Sequence, residues 1–292
     1  MQIPICPLCK SEDNEECFSE RGYKVLVCNN CDLFFINPYP TDGDHIHERV
    51  SGYTCDEIEI LDPANHYHAE IQTYKRLFPI IAAECESART ILDVGCGTGH
   101  LLERLSIYPE LYKIGIELNS KRAEIARKVS NCEIFQVPVE EFTSEKKFDV
   151  ITMINVLSHI PSFDSLFYSI RSLISENGKL VIKVGEMKKD VKKRDIFDWG
   201  IPDHLHFLGL KTVDFISRKY GFNVIKHSRM PLSDELFSSY TWKSPGRSAF
   251  RNVIKDIVVH IPYALKVLAR YYDLTHRKRI YSSFIVLSPQ TQ

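Results

Sequence analysis

The sequence predicts an α/β fold, a doubly wound sheet covered by helices on both faces, with a small cysteine-bearing module ahead of it. Three observations predict this. From residue 90, short apolar runs alternate with amphipathic stretches: "TILDV", "LLERL", "YKIGIE", "KRAEIARKV", "CEIFQV", "FDVITMI", "SLFYSIRSLI" and "KLVIKV". That alternation is the pattern of parallel strands joined by helical crossovers. The first such strand runs into a glycine-rich turn, "ILDVGCGTGH" at 91–100, and residues 1–37 hold two CxxC pairs.

The bulk composition narrows the function classes. At 292 residues with 44% hydrophobic content, the chain has enough apolar side chain for a sizeable core. The balance of 37 Lys+Arg against 38 Asp+Glu leaves a net charge of -1, so no global field recruits nucleic acid. Nowhere do about 18 consecutive apolar residues occur, and no basic region leads into an apolar leader, so a cytoplasmic protein is expected. The cysteine count is odd, at nine, and four of the nine fall in the CxxC pairs, which favours metal over disulfides.

In chain order, residues 1–37 read as a unit of their own. Cys6 and Cys9 are separated from Cys28 and Cys31 by eighteen residues, a spacing that lets two knuckles bring four thiolates around one zinc ion. Four thiolates leave no position for water, so this zinc is expected to be structural. Residues 38–88 read as a helical connector or cap, opening on the turn "NPYPTDGD" and continuing with Ile71, Tyr74, Leu77, Phe78 and Ile81 at helical spacing. Tyr53, His66, Tyr67 and His68 in it are expected to face solvent, with closure over a substrate as the alternative. Residues 89–292 form the α/β domain, with 231–280 as a helical insertion before the last strand, "SSFIVLS". A stripe from Phe250 through Ile257 and Ile261 to Leu268 in that insertion is expected to pack on its own domain. A peripheral membrane or dimer contact is the alternative for it, and the chain is expected to be a monomer or homodimer. "KKDVKKR" at 188–194 reads as a solvated loop.

The glycine loop decides the ligand. A P-loop needs Lys and then Ser or Thr after its last glycine, whereas Gly99 is followed by His100 and Leu101. A dinucleotide turn needs G-x-G-x-x-G, whereas Gly95, Gly97 and Gly99 run G-x-G-x-G, and Asp93 would repel a pyrophosphate. S-adenosylmethionine has no phosphate and carries a net positive charge. Glycines let the backbone approach it closely, Asp93 can face its cationic part, and Glu117, about twenty residues on, can accept both ribose hydroxyls.

These residues carry a resemblance. Residues 90–229 resemble a class I S-adenosylmethionine-dependent methyltransferase, with "LDVGCGTG" and "IGIELN" as its first two motifs. Within that superfamily "CNNCDLFFINPYP", "NVLSHIP" and "PDHLHFLGLKTVDFISRKYGF" are similar to the branch with an N-terminal zinc ribbon, which tailors sugars, polysaccharides and small metabolites. The chain departs from that branch at Ser158, where Glu is usual, at Val137 and Pro138, where an acid often reads adenine, and at Lys10 and Asp32, which replace glycines after the cysteine pairs.

Catalytic candidates follow from the sheet edge. His159 lies just past "FDVITMI", where open α/β sheets place ligands, and can act as a base on an acceptor hydroxyl; Asn155 shares that edge and is expected to contact the cofactor. "PDHLHF" adds Asp203, His204 and His206, of which Asp203 and His204 resemble the acid–histidine pair of the branch's sugar C-methyltransferases. The expected acceptor is a sugar, nucleotide-sugar or polysaccharide hydroxyl, with nucleic acid disfavoured by charge. The rival readings are an rRNA or tRNA base methyltransferase and a non-catalytic S-adenosylmethionine-binding scaffold or sensor.

Overall fold

The computed structural model describes residues 3–39, 77–195, 200–231, 253–254, 257–258, 260–275 and 279–290. Tyr53, His66, Tyr67, His68 and Phe250, with most of the connector and of the insertion, lie outside the described residues.

Strands β1 (Asn14–Glu20), β2 (Tyr23–Cys28) and β3 (Phe34–Asn37) form an antiparallel meander. Arg21 at φ 49° and Gly22 at φ 84° make the two-residue turn between the first two, the positive-φ pair that matches strand twist. The main sheet has the order β10-β11-β8-β7-β4-β5-β6. Its strands β4 (Thr90–Val94), β5 (Tyr112–Ile116), β6 (Glu133–Phe135), β7 (Phe148–Ile154) and β8 (Ile174–Met187) are parallel. β11 (Ile280–Pro289) runs against β8 and against β10 (Phe222–Pro231).

Helices form where the period changes from two to 3.6. They are α1 (His100–Arg104), α2 (Ser120–Ser130), α3 (Phe163–Leu173), α4 (Thr212–Tyr220) and α5 (Ala264–Thr275). Asn119 starts α2 by accepting from the Lys121 and Arg122 amides, and Gly221 ends α4 at φ 68°.

Alternation along the strands splits the core. Leu92, Val94, Ile151, Met153, Ile182 and Val184 pack on α3 and α4, while Ile91, Val150, Val181 and Phe284 pack on α1, α2 and the helical residues 77–85. Phe167 is fully buried and stacks on Tyr220 at 4.6 Å, and its truncation to Ala costs about 3–5 kcal/mol by analogy with other core aromatics.

The unit read at residues 1–37 is not closed on itself. Its sheet takes a fourth strand, β9 (His206–Phe207), from the α/β domain: Phe34 pairs with Phe207 and Phe35 with His206. β8 outruns β7, whose last partner on it is Lys183; beyond that point Leu208 takes over, bonding Gly185 and Met187 through its backbone at 3.1 and 2.7 Å. The two sheets are thus joined above the carboxyl ends of the parallel strands. Gly209 is needed there, because a Cβ on it would lie 2.0 Å from the Asp32 carbonyl oxygen. Both faces of the small sheet are buried: Leu26, Leu33 and Phe35 join the α3 side, and Val25, Val27, Phe34 and Ile36 pack with Met187, Ile201 and Leu205. Among the described residues of α5 none is buried, so the expected packing of that stripe on its own domain is confined here to half-buried positions such as Leu265 and Leu268.

Candidate active site

Parallel strands β4, β5 and β7 all end on one edge, and the turns after them converge there. Gly95, Gly97 and Gly99 have φ of 69°, 57° and 81°. A Cβ on Gly95 would stand 2.3 Å from the Val156 side chain, so this turn closes only around glycine. Its backbone is held by Gly95 and Cys96 amides donating to the Ile116 carbonyl at 2.8 and 2.9 Å.

The two acids are set by this backbone. Asp93 is 1% exposed and accepts from Thr152 Oγ1 at 2.6 Å. Glu117 closes on the loop: Oε2 accepts from the Gly97 amide at 2.9 Å and Oε1 from the Asn119 amide at 2.9 Å. A carboxylate locked in this way is preorganised beside the glycine turn. The residues fit S-adenosylmethionine: a cradle that a Cβ would fill, a buried acid behind it, and a second carboxylate at the end of the neighbouring strand.

Asn155 sits at φ 59° on the same edge, and its Oδ1 accepts from Lys183 Nζ at 2.8 Å. His159 closes a tight turn, Leu157–His159, and its Nδ1 lies 2.9 Å from the Asp203 carbonyl oxygen. A carbonyl only accepts, so Nδ1 carries the hydrogen, and in the neutral ring the lone pair is then on Nε2. The His204 ring is 4.8 Å from the His159 ring, centroid to centroid. His159 and His204 are half-buried.

The structure places two further candidates. His206 is 0% exposed, with the Phe163 ring at 4.5 Å and Tyr39 Oη 3.3 Å from its Nδ1. It packs among these groups, apart from the His159–His204 pair, so the proposal below does not use the catalytic role expected of it. Asp203 reaches a histidine through its backbone carbonyl, and that histidine is His159; its side chain is exposed. The described contact thus joins Asp203 to His159, whereas the expectation from the resemblance paired it with His204.

Three further residues went unseen in the sequence: Thr152 on Asp93, Lys183 on Asn155, and Tyr39, whose hydroxyl donates to the Pro161 carbonyl at 3.0 Å. Thr152 and Lys183 did leave a signal, as polar residues inside apolar strand runs. Tyr39 left none.

The four cysteines of the CxxC pairs come together. Their sulfurs all lie within 4.8 Å of one another, with Cys6–Cys31 at 3.6 Å and Cys9–Cys28 at 3.4 Å. Tetrahedral zinc thiolates require roughly 3.8 Å between sulfurs, so the set fits that ion. Lys10 and Asp32 take the positive φ of the knuckle turns, 62° and 60°, without being glycine. A hydrogen bond from Cys31 pulls the Cys6 thiol down to about 6, whereas burial pushes Cys28 up to about 11. Three of the four cysteines are buried and Cys9 is half-buried, and four thiolates so close would need a cation to coexist.

Comparison with known proteins settles the family. The methyltransferase domain family matches residues 65–227, more than half of the chain. The chain belongs to that family. It is 32% identical over 105 residues to a ubiquinone biosynthesis O-methyltransferase of Glaesserella parasuis serovar 5 (strain SH0165), covering 32% of this chain and 44% of that one. With the enzyme of the same name from Acinetobacter baylyi (strain ATCC 33305 / BD413 / ADP1) it shares 29% over 100 residues, covering 32% and 42%. The match thus spans less than half the length of these curated relatives. Their names do not favour the sugar-like acceptor expected from the zinc-ribbon branch, and it is not carried forward.

Solved structures establish the fold as Rossmann-like. The O-methyltransferase of a trans-AT PKS multienzyme of Brevibacillus brevis, in complex with S-adenosyl-L-homocysteine, superposes with a TM-score of 0.52 at 16% identity, covering 80% of this chain and 78% of that one. The 4+2 cyclase SpnF gives 0.54 at 15% identity, covering 76% and 83%. A cyclase on this fold means that architecture alone does not name the reaction. No helix among the described residues is long and apolar enough to cross a membrane.

Proposed function

We propose that this family member transfers the sulfonium methyl of S-adenosylmethionine to a hydroxyl oxygen of a small acceptor seated against Asn155, His159 and His204. When bound, the cofactor supplies an electrophilic methyl group and its own leaving group. Glu117 would hold the ribose hydroxyls, Asp93 would face the cationic part, and the glycine turn with Asn155 would fix the methyl toward the acceptor. His159 Nε2 would take the proton of the acceptor hydroxyl, and the Asp203 carbonyl on Nδ1–H would stabilise the imidazolium that results. The rest of the rate comes from alignment.

The observation that carries this reading is the 2.9 Å contact from His159 Nδ1 to the Asp203 carbonyl, on the same edge as the glycine turn. A phenolic hydroxyl on a quinone precursor is the first acceptor to test, because two relatives bear that pathway's name. Incubation with methyl-labelled S-adenosylmethionine, a panel of phenolic acceptors and fractionated cell extract is expected to place label in a small-molecule fraction. Cofactor binding with no label in any fraction would overturn the proposal, as would label confined to RNA.

A further inference from the structure

Both partners of the His159–Asp203 contact are held by the cysteine-bearing module. On one side, β3 carries segment 203–207: the Ile36 amide donates to the Leu205 carbonyl at 2.9 Å, and Phe35 pairs with His206. On the other, Tyr39, two residues past the end of β3, donates its hydroxyl to the Pro161 carbonyl at 3.0 Å. The Leu205 amide closes the circle on the Ser158 carbonyl at 2.8 Å. The metal knuckle is tied in at its own end, where the Cys28 amide donates to the Leu33 carbonyl at 2.9 Å and Thr212 Oγ1 donates to the Cys31 carbonyl at 2.9 Å. The cofactor turn is held chiefly by Ile116, Glu117 and the close approach of Gly99 to Ala126, and it meets the segment before His159 at one point, where Gly95 packs on the Val156 side chain.

We infer that the four-cysteine module is a positioning element for the acceptor side: β3 and Tyr39 hold segments 157–161 and 203–207 in register, so that a filled metal site aims His159 while leaving the grip on the cofactor untouched. Tyr39 is a positioning residue that acts through the Pro161 carbonyl. The inference rests on the proposed role of His159 only for its effect on turnover. Its structural content is the coupling of knuckle to histidine.

The test uses the full chain with its metal content measured, Tyr39→Phe, and the wild type after chelation. The readouts are ¹⁵N shifts of the His159 imidazole, amide exchange, and calorimetric affinity for S-adenosylhomocysteine. In the wild type the Nδ1–H tautomer is expected. In Tyr39→Phe the tautomer is expected to become mixed and exchange at 157–160 and 203–208 to quicken about tenfold, with larger effects on chelation. Affinity for S-adenosylhomocysteine and protection of 95–99 are expected to stay within about twofold, as for a site outside the coupled unit. An unchanged tautomer and unchanged exchange in Tyr39→Phe would overturn the inference, as would loosening of 95–99 in step with 157–160. None of these readouts needs an acceptor. If His159 is not the base, His159→Ala keeps its turnover while the tautomer and exchange effects of Tyr39→Phe persist.

Discussion

The cofactor edge and the acceptor edge lie side by side but are assembled in opposite ways. At the proposed cofactor edge the grip on the glycine turn is short in sequence, apart from Asp93, which Thr152 holds from 59 residues away: Gly97 and Glu117, twenty residues apart, bond directly, and Asn119 both donates to Glu117 and caps the next helix. The acceptor edge is assembled over long range: His159 meets a carbonyl 44 residues away, and Tyr39 reaches one 122 residues away. A local site tolerates disturbance elsewhere in the fold, whereas a site assembled across the chain depends on whatever holds its pieces in register.

The largest expected effect lies on the acceptor edge. His159→Ala is expected to lower turnover about 10²–10⁴-fold, the usual contribution of a positioned base, with affinity for S-adenosylhomocysteine unchanged by calorimetry. An equal loss in both quantities would erase the distinction between the edges.

Glu186 probes the wing above that edge. It is fully buried near the end of β8 and accepts from His227, Ser283 and Arg229, which pins β10 and β11 to β8. Burial pushes its carboxyl up, but the bonds from His227, Ser283 and Arg229 prevail and hold it below the ordinary glutamate range. A carboxyl lowered on folding contributes stability that is complete at neutral pH and is lost as pH falls through the ordinary range to the folded value. Glu186→Gln is expected to cost about 3 kcal/mol at pH 7 and to flatten the acid side of the melting-temperature profile, read by calorimetry against pH. A parallel drop at every pH would show that the carboxylate's charge contributes nothing.

On the cofactor edge, Glu117→Ala is expected to weaken S-adenosylhomocysteine binding roughly 10–100-fold, the value of a charged hydrogen bond, with no change at the His159 imidazole by NMR. The smallest effect is that of Asn119→Ala, which removes the cap accepted from Lys121 and Arg122. About 1 kcal/mol of stability should be lost, measured by urea unfolding, with catalysis per folded molecule preserved.

How much was legible follows the same division. Asp93, the three glycines and Glu117 were readable because spacing along the chain and distance in space coincide there, and the four cysteines were readable because two CxxC turns leave few ways to bring four sulfurs together. His204 and His206 were not separable, since residues two apart in an extended chain point the same way. What distinguishes them is a neighbour: Phe163 and Tyr39 cover His206, whereas His204 turns toward His159. Asp203 was singled out by resemblance to an acid–histidine pair, and nothing in the local sequence shows that its backbone carbonyl would meet His159.

By itself the amino-acid sequence determined the strand–helix alternation, the glycine turn with its two acids and the two CxxC turns, because each depends on residue type at short separation. Only the tertiary structure decided that the small sheet borrows β9, that His159 meets the Asp203 carbonyl and that His206 is buried. Those outcomes depend on hydrogen bonds between segments 39, 155–161 and 203–208, whose meeting is set by how the two sheets join and by nothing in their local composition.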